Sequence, residues 1–287
     1  MNLDVIREHP FASRRLAFTA KDTCLYALGV GVGSDPLDPD QLRFLYEENL
    51  QALPTMAAVI AHPSNWLGKP EFAVDYSKIL HGEQHLTVHK PLPGSGEVQA
   101  SYRVAAVVDK GAGKGALLYF EKIIADPVDG ELFCTVLSTL FLRGDGGCGS
   151  FGTPPAVPPV SPSAPGAGAP DFSDELTTAV SAAVLYRLNG DLNPLHIDPA
   201  AAVRGGFSRP ILHGLCTYGV VGYLLVRAVC GYDPTRLRSM SARFSSPVFP
   251  GETIRLRAWR GPEGVHFDAV VPERSQVVLS RGFARIQ

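Results

Sequence analysis

A tract from Gly144 to Pro170, dominated by Gly, Pro, Ser and Ala, divides the 287-residue chain in two. Pro154, Pro155, Pro158, Pro159, Pro162, Pro165 and Pro170 punctuate it. This composition offers no apolar face, so no core can be built from it, and residues 144–170 are expected to form an extended or disordered linker. The fold must come from residues 1–143 and 171–287. Both parts read in the same order, helical material first and then strands separated by turns.

In the first part, Thr19 to Leu28 reads as a helix, with Thr19 as N-cap and Cys24, Leu25 and Leu28 apolar. The run Gly29-Val30-Gly31-Val32-Gly33 follows. A dinucleotide loop would need a strand before such glycines and a helix opening on them. Here a helix precedes and Asp35-Pro36 follows, so the run reads as a helix stop and turn. A short capped element spans Asp38 to Glu47, and the apolar run Met56 to Ala61 starts a buried helix or strand. Gln84 to Lys90 reads as a strand ended by Pro91, followed by strands at Val98–Lys110, Gly115–Asp126 and Glu131–Arg143. In the second part a strand is expected at Ala179–Leu188 and a long helix from about Leu212 to Cys230, stopped by Gly231. Strands Leu237–Val248, Glu252–Arg260, Gly264–Pro272 and Gln276–Ile286 follow. An apolar helix and a meander each expose apolar surface unless the curved sheet wraps the helix. Two such units could join their sheets edge to edge, hiding edge strands. The class is α+β.

Composition excludes several functions. Net charge is −2, which gives no global field toward nucleic acid or an anionic membrane. Five cysteines, Cys24, Cys134, Cys148, Cys216 and Cys230, lack C-x-x-C spacing, so neither a zinc site nor a disulfide framework is expected. His81, His85 and His89 have no accompanying carboxylate or cysteine pattern, and no metal is expected there. The N-terminus lacks a basic region followed by an apolar one, and the C-terminus Ala284-Arg285-Ile286-Gln287 is not a peroxisomal address. The helix Ile211 to Cys230 carries His213 and Arg227 and is too broken to span a bilayer. A cytoplasmic protein is expected.

The stretch with chemistry runs from Tyr186 to Gly214. Asp191 and His196 are five residues apart, so a regular helix would not align them. They converge only if the backbone bends, and Gly190, Asn193 and Pro194 permit that. Asp198-Pro199 opens a helix. Read alone, Asp191 and His196 could equally be an Asx turn and a capping histidine.

This stretch resembles the signature of the (R)-specific enoyl-CoA hydratases, the MaoC-like hydratases of type 2. Asp22-Thr23-Cys24-Leu25-Tyr26-Ala27-Leu28-Gly29-Val30-Gly31, Leu80-His81-Gly82-Glu83-Gln84, Lys90-Pro91-Leu92-Pro93 and Pro247-Val248-Phe249-Pro250-Gly251 resemble the two-domain form, found in the hydratase part of peroxisomal multifunctional enzymes type 2. The resemblance covers nearly the whole chain outside the linker. It implies a double hot dog and reversible hydration of trans-2-enoyl-CoA to (3R)-3-hydroxyacyl-CoA in fatty-acid metabolism. It implies no cofactor, CoA being part of the substrate, and a homodimer. Asp191 and His196 match the catalytic pair, and Asn193 a residue that helps hold the water. Gly214, near a helix start, would offer its N–H to the thioester oxygen. Tyr186, Asp198, His213, His81 and Glu83 match positions around the site and are expected to support it. Lys90 and Arg243 are candidates for the CoA phosphates. Residues 1–143 lack the acid–base motif and are expected to take the acyl chain; residues 171–287 carry catalysis. A dehydratase on acyl-carrier-protein substrates and an acyl-CoA thioesterase are the alternatives.

Overall fold

The computed structural model describes residues 1–63, 65–157 and 168–287. The first part comprises α1 (Leu3–Glu8), β1 (Arg14–Phe18), α2 (Ala20–Gly29), β2 (Ile79–Val88), β3 (Gly96–Asp109), β4 (Ala116–Ala125) and β5 (Leu132–Leu142), with β6 (Phe151–Gly152) beyond it. The second comprises β7 (Phe172–Thr177), α3 (Ala182–Tyr186), α4 (Pro199–Arg204), α5 (Gly214–Ala228), β8 (Leu237–Phe244), β9 (Thr253–Gly261), β10 (Gly264–Val271) and β11 (Gln276–Ile286).

Ten strands form one antiparallel sheet in the order β1-β3-β4-β5-β2-β8-β11-β10-β9-β7, and β6 pairs β3. Read outward from the centre, the halves have the same order, with β2 equivalent to β8 and β1 to β7. They join through β2 and β8, where Glu83 faces Arg243, His85 faces Ser241 and Thr87 faces Ser239. This edge-to-edge joint removes the two strand edges that separate halves would expose.

Helix α5 is apolar all round, and every residue from Cys216 to Val226 is buried, as a helix wrapped by a sheet must be. Two glycines on it let the halves approach. A Cβ on Gly222 would lie 2.5 Å from Thr55 Cγ2, and one on Gly219 would lie 2.6 Å from Val30 Cγ1. In the first half the matching place holds a single 3-10 turn, Pro54–Ala58, buried throughout. The run Met56 to Ala61 is thus a turn and loop and not a long element.

Helix α2 begins where expected, with the Asp22 carboxylate accepting from the Thr19 N–H and hydroxyl. The glycines after it form a turn, Gly31 having φ +89°. Three expectations are corrected. Ala179–Leu188 is not a strand: Ala182, Ala183 and Tyr186 bury one helical face of α3, the 3-10 turn Arg187–Asn189 follows, and the strand lies earlier, at β7. An apolar run this short carries no decisive period. The first element is not the helix at Thr19, since α1 and the edge strand β1 precede it. Residues 144–157 of the expected linker pack on the first half: Asp109 accepts from Gly147 and Gly149 N–H, and Phe151–Gly152 pair with β3. Residues 158–167, which include Pro158, Pro159, Pro162 and Pro165, lie outside the described residues. Beyond them Gly168 O accepts from Trp259 Nε1 at 3.1 Å.

Candidate active site

The loop between α3 and α4 folds by its own side chains. Gly190 takes φ +116°, a conformation that favours glycine, and turns the chain after Asn189. Asp191 Oδ1 accepts from the Asn193 N–H at 3.1 Å, and Asn193 Oδ1 accepts from the Leu195 N–H at 3.1 Å. These two Asx bonds start the 3-10 turn Pro194–His196, and Asp198 then caps α4 through the Ala200 N–H at 2.8 Å. The bend required to bring Asp191 to His196 is thus encoded locally.

His196 is 8% exposed, and its Nδ1 lies 2.9 Å from the Ile211 carbonyl. A carbonyl only accepts, so Nδ1 carries the proton and Nε2 keeps a lone pair. Burial holds the imidazole below its ordinary range, with the Ile211 bond and the charge of Asp191 opposing, so the ring is neutral near pH 7. His213 stacks on His196 with ring centroids 3.8 Å apart. Its Nε2 donates to the Asp191 carbonyl at 3.2 Å, and burial, with His196 beside it, pushes it down to about 4. The buried Tyr186 ring lies against His213 at 5.1 Å and against Tyr26 of α2 at 6.3 Å. Side-chain ligand atoms of Asp191, His196 and His213 lie within 4.8 Å of one another. That separation suits one water bridging a carboxylate and an imidazole nitrogen. Among the described residues it is also the one grouping close enough for a metal.

Gly214 follows His213 as the first residue of α5, where backbone N–H groups lack intrahelical partners and the helix dipole is positive. The Phe244 ring lies 3.4 Å from where a Gly214 Cβ would stand, and the His81 ring packs on Phe244 with centroids 4.7 Å apart. Burial pushes His81 down to about 4, and its Nε2 is buried without a hydrogen-bond partner. Asp191 is close enough for its charge to act on His62, Tyr76 and His81, all from the first half. Through His81 and the Phe244 ring the first half reaches the Gly214 side of the site.

The remaining candidates lie elsewhere. The bulge at Gly82 separates His81, which faces Phe244, from Glu83, which stands opposite Arg243 on the outer face of the sheet. Arg243 adjoins Phe244 and so points away from Gly214. Lys90 lies past the far end of β2, more than about 20 Å of strand from His81. There it pairs with Glu131 at 2.6 Å. The histidines also diverge: His85 bonds Ser241 and Thr87, and His89 bonds Thr135. Sequence reading missed Phe244, His62 and Tyr76, which lie outside the signature stretch, and the Ile211 carbonyl, which lies within it. Only Ile211, two residues before His213, had a position that could have pointed to it.

Residues 163–280 match the family model described as MaoC like domain, and residues 16–144 match the MFE-2 hydratase 2 N-terminal domain. The chain is 37% identical over 292 residues to enoyl-CoA hydratase 2, peroxisomal, of Arabidopsis thaliana, covering 97% of this chain and 94% of that one. It is 40% identical to 3-hydroxyacyl-thioester dehydratase Y of Mycobacterium tuberculosis over 86% of this chain and 83% of the relative. A solved MaoC-like dehydratase from Phytophthora capsici superposes with a TM-score of 0.85 at 34% identity, covering 100% of this chain and 99% of that one.

Proposed function

This chain belongs to the MaoC-like, MFE-2 hydratase 2 family, and from that premise we propose that it adds water to trans-2-enoyl-CoA, giving (3R)-3-hydroxyacyl-CoA. The observation that carries the reading is the meeting of Asp191 and His196 within 4.8 Å, beside the helix start at Gly214. A water bound between them hydrogen-bonds to the carboxylate and to the bare Nε2 of His196. The dyad takes its proton as the oxygen bonds to C3, and the alkene electrons move into the thioester as an enolate. The Gly214 N–H, aided by the helix dipole, stabilises that oxyanion. The proton taken from water is delivered to C2, so the dyad ends as it began. Asn193 shapes the turn that presents Asp191, and His213 and Tyr186 hold the His196 ring in place.

Residues 171–287 are catalytic in this reading, and residues 1–143 take the acyl chain. The reaction uses no metal and no cofactor beyond the CoA of the substrate. The protein works as a cytoplasmic homodimer. Five free cysteines fit a reducing compartment, and among the described residues no helix is long and apolar enough to cross a membrane. Cell fractionation and sedimentation test these two points.

The relative named as a 3-hydroxyacyl-thioester dehydratase favours a second reading, the reverse reaction, for which carrier-protein thioesters are the substrates to test. The decisive assay follows enoyl absorbance and free thiol together, with CoA-linked and carrier-protein-linked enoyl substrates. Loss of absorbance without thiol on the CoA substrate supports hydration; thiol release means a thioesterase, and activity on carrier-protein substrates alone means the dehydratase.

A further inference from the structure

On the concave face of the second half, α5 satisfies its own backbone. In the place of α5 the first half has the turn Pro54–Ala58 and the loop after it, so carbonyls that a longer helix would have paired must find other donors. Three adjacent strands supply them. Lys122 of β4 donates to the carbonyls of Ala58 at 3.1 Å and Ile60 at 2.8 Å. Tyr102 of β3 donates its hydroxyl to the Ala61 carbonyl, and Arg14 of β1 donates to the His62 carbonyl at 3.0 Å. Ala61 has φ +50°, a left-handed conformation that a non-glycine residue keeps only where its surroundings fix it.

Lys122 is the unusual member of this set. It is 1% exposed, and those two carbonyls are its hydrogen-bond partners among the described residues. Burial pushes its ammonium down to about 7. A neutral amine has two N–H donors, matching the two carbonyls. The tethered segment also has a direction. Thr55, before it, packs on Gly222 of α5, and His62, at its end, feels the charge of Asp191. It runs from the flank of α5 at Thr55 to the neighbourhood of Asp191 at His62.

We propose that Lys122 is a positioning residue for the acyl chain: by tying Ala58 and Ile60 to β4 it fixes the wall along which the tail lies, and so sets chain-length preference. The inference rests on the reading that the first half takes the tail. The test measures kcat and KM for crotonyl-CoA and 2-decenoyl-CoA with wild type, Lys122→Met, Lys122→Gln and Met56→Phe. Lys122→Met should lose about tenfold in kcat/KM on the long substrate, through KM, and less than about twofold on the short one, as expected for one or two lost hydrogen bonds remote from the chemistry. Lys122→Gln, which keeps a donor, should recover part of the loss, and it replaces the Met variant if that fails to fold. Equal losses at both lengths, or none, in a folded Lys122 variant overturn the proposal. If Met56→Phe is then length-selective, the tail reading stands and the role of Lys122 falls; if it too is uniform, the tail reading falls as well.

Discussion

The two halves share one strand order and differ in what covers the concave face. The second half has the 15-residue α5, and at its start stand His213, Gly214 and the loop with Asp191 and His196. In the place of α5 the first half has the five-residue 3-10 turn Pro54–Ala58 and, after α2, a glycine turn where the second half has its Asp–His loop. A scaffold that satisfies its own backbone can thus present a bare helix N-terminus to a reacting group. A half without that helix must spend side chains such as Lys122 and Tyr102 on its backbone instead. What the first half contributes beside the site is His81, packed on the Phe244 ring that adjoins Gly214, with His62 and Tyr76 within reach of the charge of Asp191.

The largest effect should come from the second half's acid–base pair. Asp191→Ala and His196→Ala are each expected to reduce hydration by about 10²–10⁴-fold, the usual contribution of a positioned acid or base. Circular dichroism should show both folded. Near-normal turnover in either variant would move the chemistry elsewhere. Next in size is the contact between the halves. Gly222→Leu places its Cβ against Thr55 and should lower stability by about 1–3 kcal/mol, read as a fall in Tm. An unchanged Tm would mean that the close approach of the halves carries no packing constraint.

Acid should act through the buried imidazoles of both halves. His85 and His213 are pushed down to about 4, chiefly by burial, against an ordinary value near 6.5. Below 6.5 the unfolded chain binds protons that the folded chain refuses, so stability is full above about pH 6.5 and declines as pH falls toward 4. A pH series of Tm checks this, and a flat profile over that window contradicts it. The smallest effect belongs to the tract between the halves. Shortening within residues 161–167, sparing Gly168 and Asp171, should change stability by less than about 0.5 kcal/mol and leave turnover intact. Unfolding would make the tract part of the packed structure.

Most of the meander was legible, because alternating apolar strands flanked by Pro-Gly, Asp-Gly and Gly-rich turns carry their own punctuation. β11 runs from Gln276 to Ile286 as the sequence indicates. The Asp191–His196 bend was legible for the same reason: its Gly, Asn and Pro dictate local geometry. What was not legible depends on tertiary partners. The five residues of α3 read as strand because their helical face is defined only by packing on α2. Residues 144–157 read as linker because Asp109, which binds their N–H groups, lies far back in the chain. Strand register, which charge alone did not reveal, puts Lys90 beyond the far end of β2 and Arg243 on the outer face.

In the proposed reaction one dyad holds one water on one face of the alkene, with the thioester oxygen fixed at Gly214. Chiral analysis of the product formed by the wild-type protein from a trans-2-enoyl-CoA tests it most directly. The expected product is 3-hydroxyacyl-CoA that is almost wholly the 3R enantiomer. A racemic product would contradict a single water held between Asp191 and His196, and a 3S product would contradict the proposed 3R outcome.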